Sequence, residues 1–231
     1  MFIPLHDDNP LRHLPLPYVN YALIGVTVLC FVLSGGFSQT AINSAAVGFG
    51  FIPSIANELG ALSPQYVPGP ATYVTYAFLH ADWLHLLGNM AFLWVFGDNI
   101  EDALGHMRYL AFYLVCAAAA AFVHALFNTG SVVPLIGASG AVAGVVGAYL
   151  VLHPRVKLWI LLLARIPLRL SAMWVLGGWI GFQVFNVFAA ADGDEVAWWA
   201  HIGGLVAGGA LIVVLRRPGV PLLDRNLQRP G

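Results

Sequence analysis

Charged residues are scarce in this chain of 231 residues, in which only 9% are Asp, Glu, Lys or Arg. Soluble domains carry about 25% charged residues. Hydrophobic residues make up 59% of the chain, and its mean hydropathy is +0.79. This composition excludes an ordinary soluble domain and indicates an integral membrane protein, which has the lipid bilayer as a partner and no nucleic acid.

Cysteine is also scarce, because the chain contains only two, Cys30 and Cys116. Both fall inside apolar stretches, which favours a packing role over a disulfide or a metal site. We therefore expect no cofactor and no metal. The first residues lack the basic head and small-residue cleavage site of a secretory signal, so the first apolar stretch is expected to be retained.

Apolar residues are grouped in six blocks whose lengths approach the roughly 20 residues of a membrane-spanning helix. The blocks are residues 18–37, 80–96, 109–127, 139–152, 171–191 and 196–215. They predict an all-α polytopic membrane protein with six transmembrane helices in a single domain, residues 1–231. Residues 1–17 are predicted to form an N-terminal tail, residues 18–215 the helical core, and residues 216–231 a C-terminal tail.

All ten Lys and Arg residues fall on one side of the predicted membrane. By the positive-inside rule both termini are expected to be cytoplasmic, and the loops after helices 1, 3 and 5 face outward. The long outward loop 38–79 is predicted to fold on the membrane surface, with a short interfacial helix at 51–59. The apolar run 158–164 is too short to span and is expected at the cytoplasmic interface.

Two polar residues stand at the heads of apolar blocks, Ser139 in the fourth and His201 in the sixth. At about 1.5 Å per residue, Ser139 lies about 24 Å above Arg155, and His201 lies about 22 Å above Arg216. Polar groups at such depth are functional by default. The segment that leads into Ser139 must line protein or a water-filled cavity, and hydrolysis requires that water.

Each polar residue predicted at this depth has a side chain suited to a step of hydrolysis. A neutral His201 can take the proton of the Ser139 hydroxyl during attack on a carbonyl. His85 and Asn89 share a face of the second helix at comparable depth, and with the Ser139 backbone N–H they can stabilise an oxyanion. The sixth helix contains no Asp or Glu, so we predict a dyad rather than a triad.

Glycines on the fourth and sixth helices favour a close approach of their backbones. Their small-residue spacing involves Gly140, Gly144, Gly147, Gly204 and Gly208.

Together these motifs resemble those of the rhomboid intramembrane serine proteases. The resemblance covers residues 72–215 and involves Gly137 to Gly140, Ala200 to Gly208, the set His80, His85 and Asn89, and Glu101 to Gly105. It implies cleavage of membrane-anchored proteins within or near their transmembrane segment. By the resemblance Ser139 is the nucleophile, His201 is the general base, and His85 and Asn89 stabilise the oxyanion.

The resemblance also implies roles around the site. Gly137 and Gly140 are expected to shape it, whereas His80 either shapes it or caps the second helix. The fifth helix and the loop 192–195 are implied to gate substrate entry. On the fifth helix, Gln183 and Asn186 either make interhelical hydrogen bonds or contact substrate.

This chain departs from the family pattern at two places. The Trp-Arg pair of the first loop is replaced by Ala71 and Thr72, which leaves the anchoring of that loop open. Ala143 stands where an aromatic residue often stacks on the histidine, so an aromatic of the fifth helix or Trp198 is expected to hold His201.

Three other classes of protein deserve comparison. A proton-linked transporter or channel uses intramembrane His, but here the core lacks charge and no broken-helix pair recurs. A metalloprotease requires two His four apart beside a Glu, whereas His80 and His85 are five apart. A catalytically inactive relative that binds membrane clients is expected to lack Ser139 or His201.

The preference for Arg, Ala and Gly suggests a bacterial genome and hence a bacterial inner membrane.

Overall fold

The computed structural model describes residues 2–57, 65–189 and 197–224. Helices dominate it, because a chain with apolar side chains can satisfy its backbone polar groups inside a bilayer only by internal hydrogen bonds. The helices are α1 (Tyr18–Leu33), α2 (Gln39–Phe49), α3 (Pro53–Asn57), α4 (Gly69–Thr75), α5 (Trp83–Phe92), α6 (Asp98–Leu104), α7 (His106–Phe127), α8 (Ser139–Leu152), α9 (Ala172–Ala189) and α10 (Trp198–Leu215).

Each of the six apolar blocks contains helix in the structure. The helical segment of the second block continues beyond residue 96, because a π-helical segment, Leu93–Gly97, joins α5 to α6. Three helices among the described residues, α7, α9 and α10, are long and apolar enough to cross a membrane, while α1 and α8 are shorter apolar helices. The helical membrane character is therefore confirmed, whereas six crossings and the orientation of the termini stay predictions.

The prediction of an all-α protein was wrong in one region, where a three-stranded antiparallel sheet forms in the order β1-β2-β3. Its strands are β1 (Phe2–Asp7), β2 (Lys157–Leu162) and β3 (Ile166–Ser171). Leu158 and Ile160 are buried at alternate positions of β2, as the period of a strand requires. Most of the run 158–164 is therefore a strand, and the predicted tail 1–17 contains another.

The sheet leads directly into α9, since β3 ends at Ser171 and α9 begins at Ala172. Two backbone hydrogen bonds hold this junction. The Ala172 N–H donates to the Val156 carbonyl at 2.8 Å, and the Met173 N–H donates to the Pro154 carbonyl at 2.9 Å. The first turn of α9 is thus fastened to the chain that follows α8.

Asp7 connects β1 to the end of α8 that lies away from Ser139. Its carboxylate accepts hydrogen bonds from the Tyr149 hydroxyl at 2.5 Å and from the Asn99 amide at 3.0 Å. Burial raises the pKa of Asp7 to about 7, and the negative charge of Asp98 adds to this effect, while the hydrogen bond from Tyr149 opposes it. A structural carboxylate of the sheet therefore titrates near neutrality.

Two acidic residues of α6 bind the backbone of residues 12–14, before α1, and of residues 19–20, in its first turn. Glu101 is fully buried and accepts the backbone N–H groups of Val19 at 3.1 Å and Asn20 at 2.7 Å. Asp102 accepts three backbone N–H groups, those of Arg12, His13 and Leu14. Such charge-assisted bonds satisfy N–H groups that have no partner inside a helix.

Helices α8 and α10 touch through their backbones. A Cβ atom built on Gly204 would overlap the carbonyl oxygen of Gly140, and one on Gly208 would overlap the carbonyl oxygen of Gly144. Only glycine permits this distance between the axes. The close approach predicted from the glycine spacing is confirmed.

The described part of the first loop contains three α-helices, of which sequence analysis predicted one. Helix α3 covers Pro53–Asn57 within the predicted segment 51–59, whose last two residues lie outside the described part of the chain. Phe51 pairs with Leu135 through two backbone hydrogen bonds, of 3.1 and 2.7 Å. The Tyr73 ring packs on Phe51 with ring centroids 4.6 Å apart. These contacts fasten the loop to the segment that leads into α8.

Candidate active site

Ser139 is the first residue of α8, as predicted, and the turn before it depends on glycine. Gly137 has a φ of +119°, which side-chain-bearing residues rarely adopt. Its N–H donates to the Tyr76 carbonyl at 3.0 Å. The turn leaves Ser139 half-buried at a helix start, where the first backbone N–H groups have no partner within the helix.

His201 lies in the first turn of α10 and faces Ser139. The distance between His201 Nε2 and Ser139 Oγ is 2.9 Å, which is a hydrogen bond. The imidazole is largely buried, with 9% of its surface exposed. The backbone contact of Gly140 with Gly204 lies one turn or less from both residues and fixes their separation.

The second ring nitrogen of His201 contacts α9. The Nδ1 atom lies 3.3 Å from Gln183 Oε1. The ring of Trp179 lies 6.3 Å from the imidazole centroid, and that of Trp198 lies 6.0 Å away in a perpendicular arrangement. The fifth helix and Trp198 thus both supply the aromatic contact expected in place of one from Ala143. Gln183 was noted in the sequence, but its contact with His201 was not foreseen.

A cavity of about 360 Å³ opens beside the Ser139–His201 pair. Both of the predicted oxyanion donors, His85 and Asn89, line this cavity. Its lining also includes Phe92, Val142, Trp179 and Gln183. The His85 ring lies against Gly137, where an added Cβ would stand 2.6 Å from His85 Cε1. Four polar side chains from α5, α8 and α10 therefore share one cavity.

His80 is buried behind this cavity and contacts two neighbours of the site. Its Nε2 atom lies 3.0 Å from Asn89 Nδ2 and 3.4 Å from the Ala138 backbone nitrogen. An Nε2 atom that accepts both N–H groups orients the Asn89 amide and the residue before Ser139. Asp82 caps α5 by accepting the His85 N–H at 2.8 Å. The contacts favour the site-shaping role of His80 over the capping role.

Gly140 lets the start of α8 pack against α7. A Cβ at this position would lie 2.5 Å from Ala120 Cβ and 3.0 Å from the Tyr76 hydroxyl, which itself donates to the Ala117 carbonyl. Every residue predicted for the site thus lies in or directly beside it. The predicted gate at 192–195 lies outside the described residues.

The rest of the described chain offers no competing metal centre. Within residues 2–57, 65–189 and 197–224, no group of three His, Cys, Asp or Glu side chains is placed to hold a metal ion. Cys116 is buried beside Gly144, and Cys30 lies half-buried on α1. Asn186 uses its amide within its own helix, where it donates to the Phe182 carbonyl at 2.8 Å.

The fold and the site together define a helical membrane protein that places a serine–histidine pair in a cavity between its helices. Residues 69–218 match the model of the Rhomboid domain family. This chain belongs to the rhomboid family.

Relatives of the chain include mitochondrial and bacterial proteins. Rhomboid protein 1, mitochondrial, of Saccharomyces cerevisiae is 28% identical over 184 residues, which cover 74% of this chain and 50% of the relative. Presenilin-associated rhomboid-like protein A, mitochondrial, of Danio rerio is 32% identical over 142 residues, covering 53% and 37%. Rhomboid protease GlpG of Klebsiella pneumoniae is 29% identical over 143 residues, covering 62% and 47%. The chain spans half or less of the length of these relatives.

Proposed function

We propose that this chain is an intramembrane serine endopeptidase that cleaves transmembrane protein substrates within or near their membrane segment. The observation that carries the proposal is the 2.9 Å hydrogen bond between His201 Nε2 and Ser139 Oγ inside a cavity. A relative named as a rhomboid protease supports the same activity. An inactive relative would be expected to lack one member of this pair.

In the proposed reaction, His201 Nε2 takes the proton of the Ser139 hydroxyl as Oγ attacks the carbonyl carbon of the scissile bond. The tetrahedral intermediate collapses when the imidazolium returns that proton to the leaving amine, and an acyl ester on Ser139 remains. Water then hydrolyses the ester, with His201 again acting as the base. Positioned base catalysis of this kind contributes about 10²- to 10⁴-fold.

The oxyanion of the intermediate is proposed to bind three donors. The Ser139 backbone N–H lies at a helix start, where the peptide dipoles favour negative charge. Asn89 carries two amide N–H groups, of which one is used by His80, so the other remains for the substrate. His85 lines the same cavity. Removal of one such donor typically lowers the rate by about 10²- to 10³-fold.

The membrane arrangement is part of the proposal. We propose six crossings in one domain with both termini on the cytoplasmic side, supported by the position of all ten Lys and Arg. The substrate is then a membrane protein with a transmembrane segment, and the bilayer is the second partner. A bacterial inner membrane has no support from the relatives, since two of those described above are mitochondrial. We therefore propose only an integral membrane location.

The experiment that tests this function uses the full chain, purified in detergent, and a fluorescent transmembrane substrate. Ser139→Ala and His201→Ala are expected to abolish cleavage, and Asn89→Ala to slow it about 10²-fold. A fluorophosphonate should label the wild type and not Ser139→Ala. Addition of a chelator should leave the rate unchanged.

Ser34→Ala is the matched control, because the Ser34 hydroxyl bonds only the Phe31 carbonyl among the described residues. Its cleavage rate should equal that of the wild type. Cleavage by Ser139→Ala at the normal rate would show that the protease reading is wrong. A wild type that neither cleaves nor takes up the label would favour the inactive class.

A further inference from the structure

Gln183 is a buried amide on a helix whose other large side chains are mostly exposed. Its side chain is 4% exposed, whereas Trp174, Phe185 and Phe188 on the same helix are between 66% and 82% exposed. An amide placed among apolar groups is costly unless it is hydrogen-bonded. The partner that the structure gives to its oxygen is His201 Nδ1, at 3.3 Å.

The chemistry of this contact decides which nitrogen of His201 carries the proton. An amide oxygen only accepts hydrogen bonds, so Nδ1 must be the donor. In the neutral ring Nε2 then carries the lone pair, and it faces Ser139 Oγ at 2.9 Å. The opposite tautomer has a proton on Nε2 and cannot accept the serine proton.

We propose that Gln183 is a positioning residue that holds His201 in the tautomer required by the dyad. The inference rests on the function proposed above and deepens it. No described carboxylate contacts His201 Nδ1, so the neutral amide occupies the place that an acid takes in a catalytic triad. The proposed role of Gln183 acts through the imidazole and not through a contact with the reacting oxygen.

The surroundings of the imidazole explain why this contact has to come from α9. On α8, Ala143 has no ring or polar group with which to hold His201. On α9, Trp179 lies one turn before Gln183 on the same face and contacts the imidazole as well. Two side chains of α9 therefore set the orientation of a histidine that belongs to α10.

Two substitutions of similar length separate the positioning role from a packing role. Gln183→Met removes the acceptor and keeps the volume, and we expect kcat to fall about 10-fold with KM within about twofold. Gln183→Glu retains an acceptor oxygen at the same place, and we expect its kcat within about threefold of the wild type. A packing role predicts similar losses in both variants, so equal kcat values would overturn the proposal.

Gln39→Met is the matched control for the loss of an amide. The Gln39 amide lies on α2, outside the cavity, and bonds only Asn43 among the described residues, so kcat should stay at the wild-type value. Thermal unfolding of every variant in detergent reports whether it folds.

Nitrogen NMR of the histidine-labelled, full-length protein tests the same idea without cleavage. The wild type is expected to show His201 with the proton on Nδ1, assigned by the signal that is lost in His201→Ala. A proton on Nε2 would overturn the proposal even if Gln183→Met does not fold. Because this measurement needs no substrate, failure of the proteolytic function and failure of the Gln183 role are distinguishable.

Discussion

Gly204→Ala tests whether the backbone contact between α8 and α10 sets the geometry of the dyad. The new Cβ would overlap the Gly140 carbonyl oxygen, and ordinary contacts of a Cβ begin at 3.4 Å. Close-packed backbones cannot absorb this overlap, so the helices have to separate by about 1 Å. The distance between Nε2 and Oγ would then rise from 2.9 Å to roughly 4 Å, beyond hydrogen-bonding range.

The expected consequence is a loss of activity much larger than the loss of stability. A misplacement of about 1 Å in a catalytic geometry costs up to about 10²-fold in rate. The assay is the cleavage rate of a fluorescent transmembrane substrate in detergent, measured beside thermal unfolding of the same samples. We expect kcat to fall about 10²-fold.

Gly209→Ala is the control on the same helix. Its Cβ would meet Val151 Cγ2 at 3.8 Å and the Gly147 carbonyl at 4.0 Å, which are ordinary contacts. Both variants gain the same helix propensity, about 1 kcal/mol, so that effect cancels in the comparison. If Gly204→Ala cleaves as fast as Gly209→Ala, the helices are not held by this contact and the reasoning fails.

Two further predictions concern the turn before the serine and the three-stranded sheet. Gly137→Ala places a Cβ 2.6 Å from His85 at a φ of +119°, so we expect cleavage to fall about 10-fold or more; an unchanged rate would show that the turn adapts. Asp7 has a pKa raised to about 7 from 3.8, so its stabilising contribution is present below pH 3.8 and is lost as the pH rises through 7. In thermal unfolding, the advantage of Asp7→Asn over the wild type should grow by about 1–3 kcal/mol between pH 5 and pH 8; parallel pH curves for the two proteins would contradict this.

The site was predictable to the extent that it depends on single helices. A common depth for Ser139 and His201 was predicted by counting residues up from the arginines assigned to the cytoplasmic side, and the structure places the two groups in hydrogen-bonding contact. The pairing of His85 with Asn89 follows from their spacing on one helix face. The glycine spacing predicted the close approach of α8 and α10 because it is also a property of each helix by itself.

Contacts between distant segments were less predictable. His80 reaches the Ala138 nitrogen across 58 residues of sequence, and only the folded chain shows that this contact favours a site-shaping role over a cap. Gln183 lies 18 residues before His201 on another helix, and no periodicity connects the two. The sheet was missed because β1 pairs with a strand about 155 residues later, and short apolar strands resemble the ends of helices in sequence.

The direct passage from β3 into α9, together with the hydrogen bonds of Ala172 and Met173, fixes a pivot at the start of this helix. Gln183 lies eleven residues beyond the hydrogen bonds of Ala172, or about 16 Å along the axis. A rotation of roughly 10° at that pivot carries the amide about 3 Å sideways, which is enough to release the imidazole. A displacement of the small sheet would therefore reach, through α9, the amide that contacts the imidazole on α10.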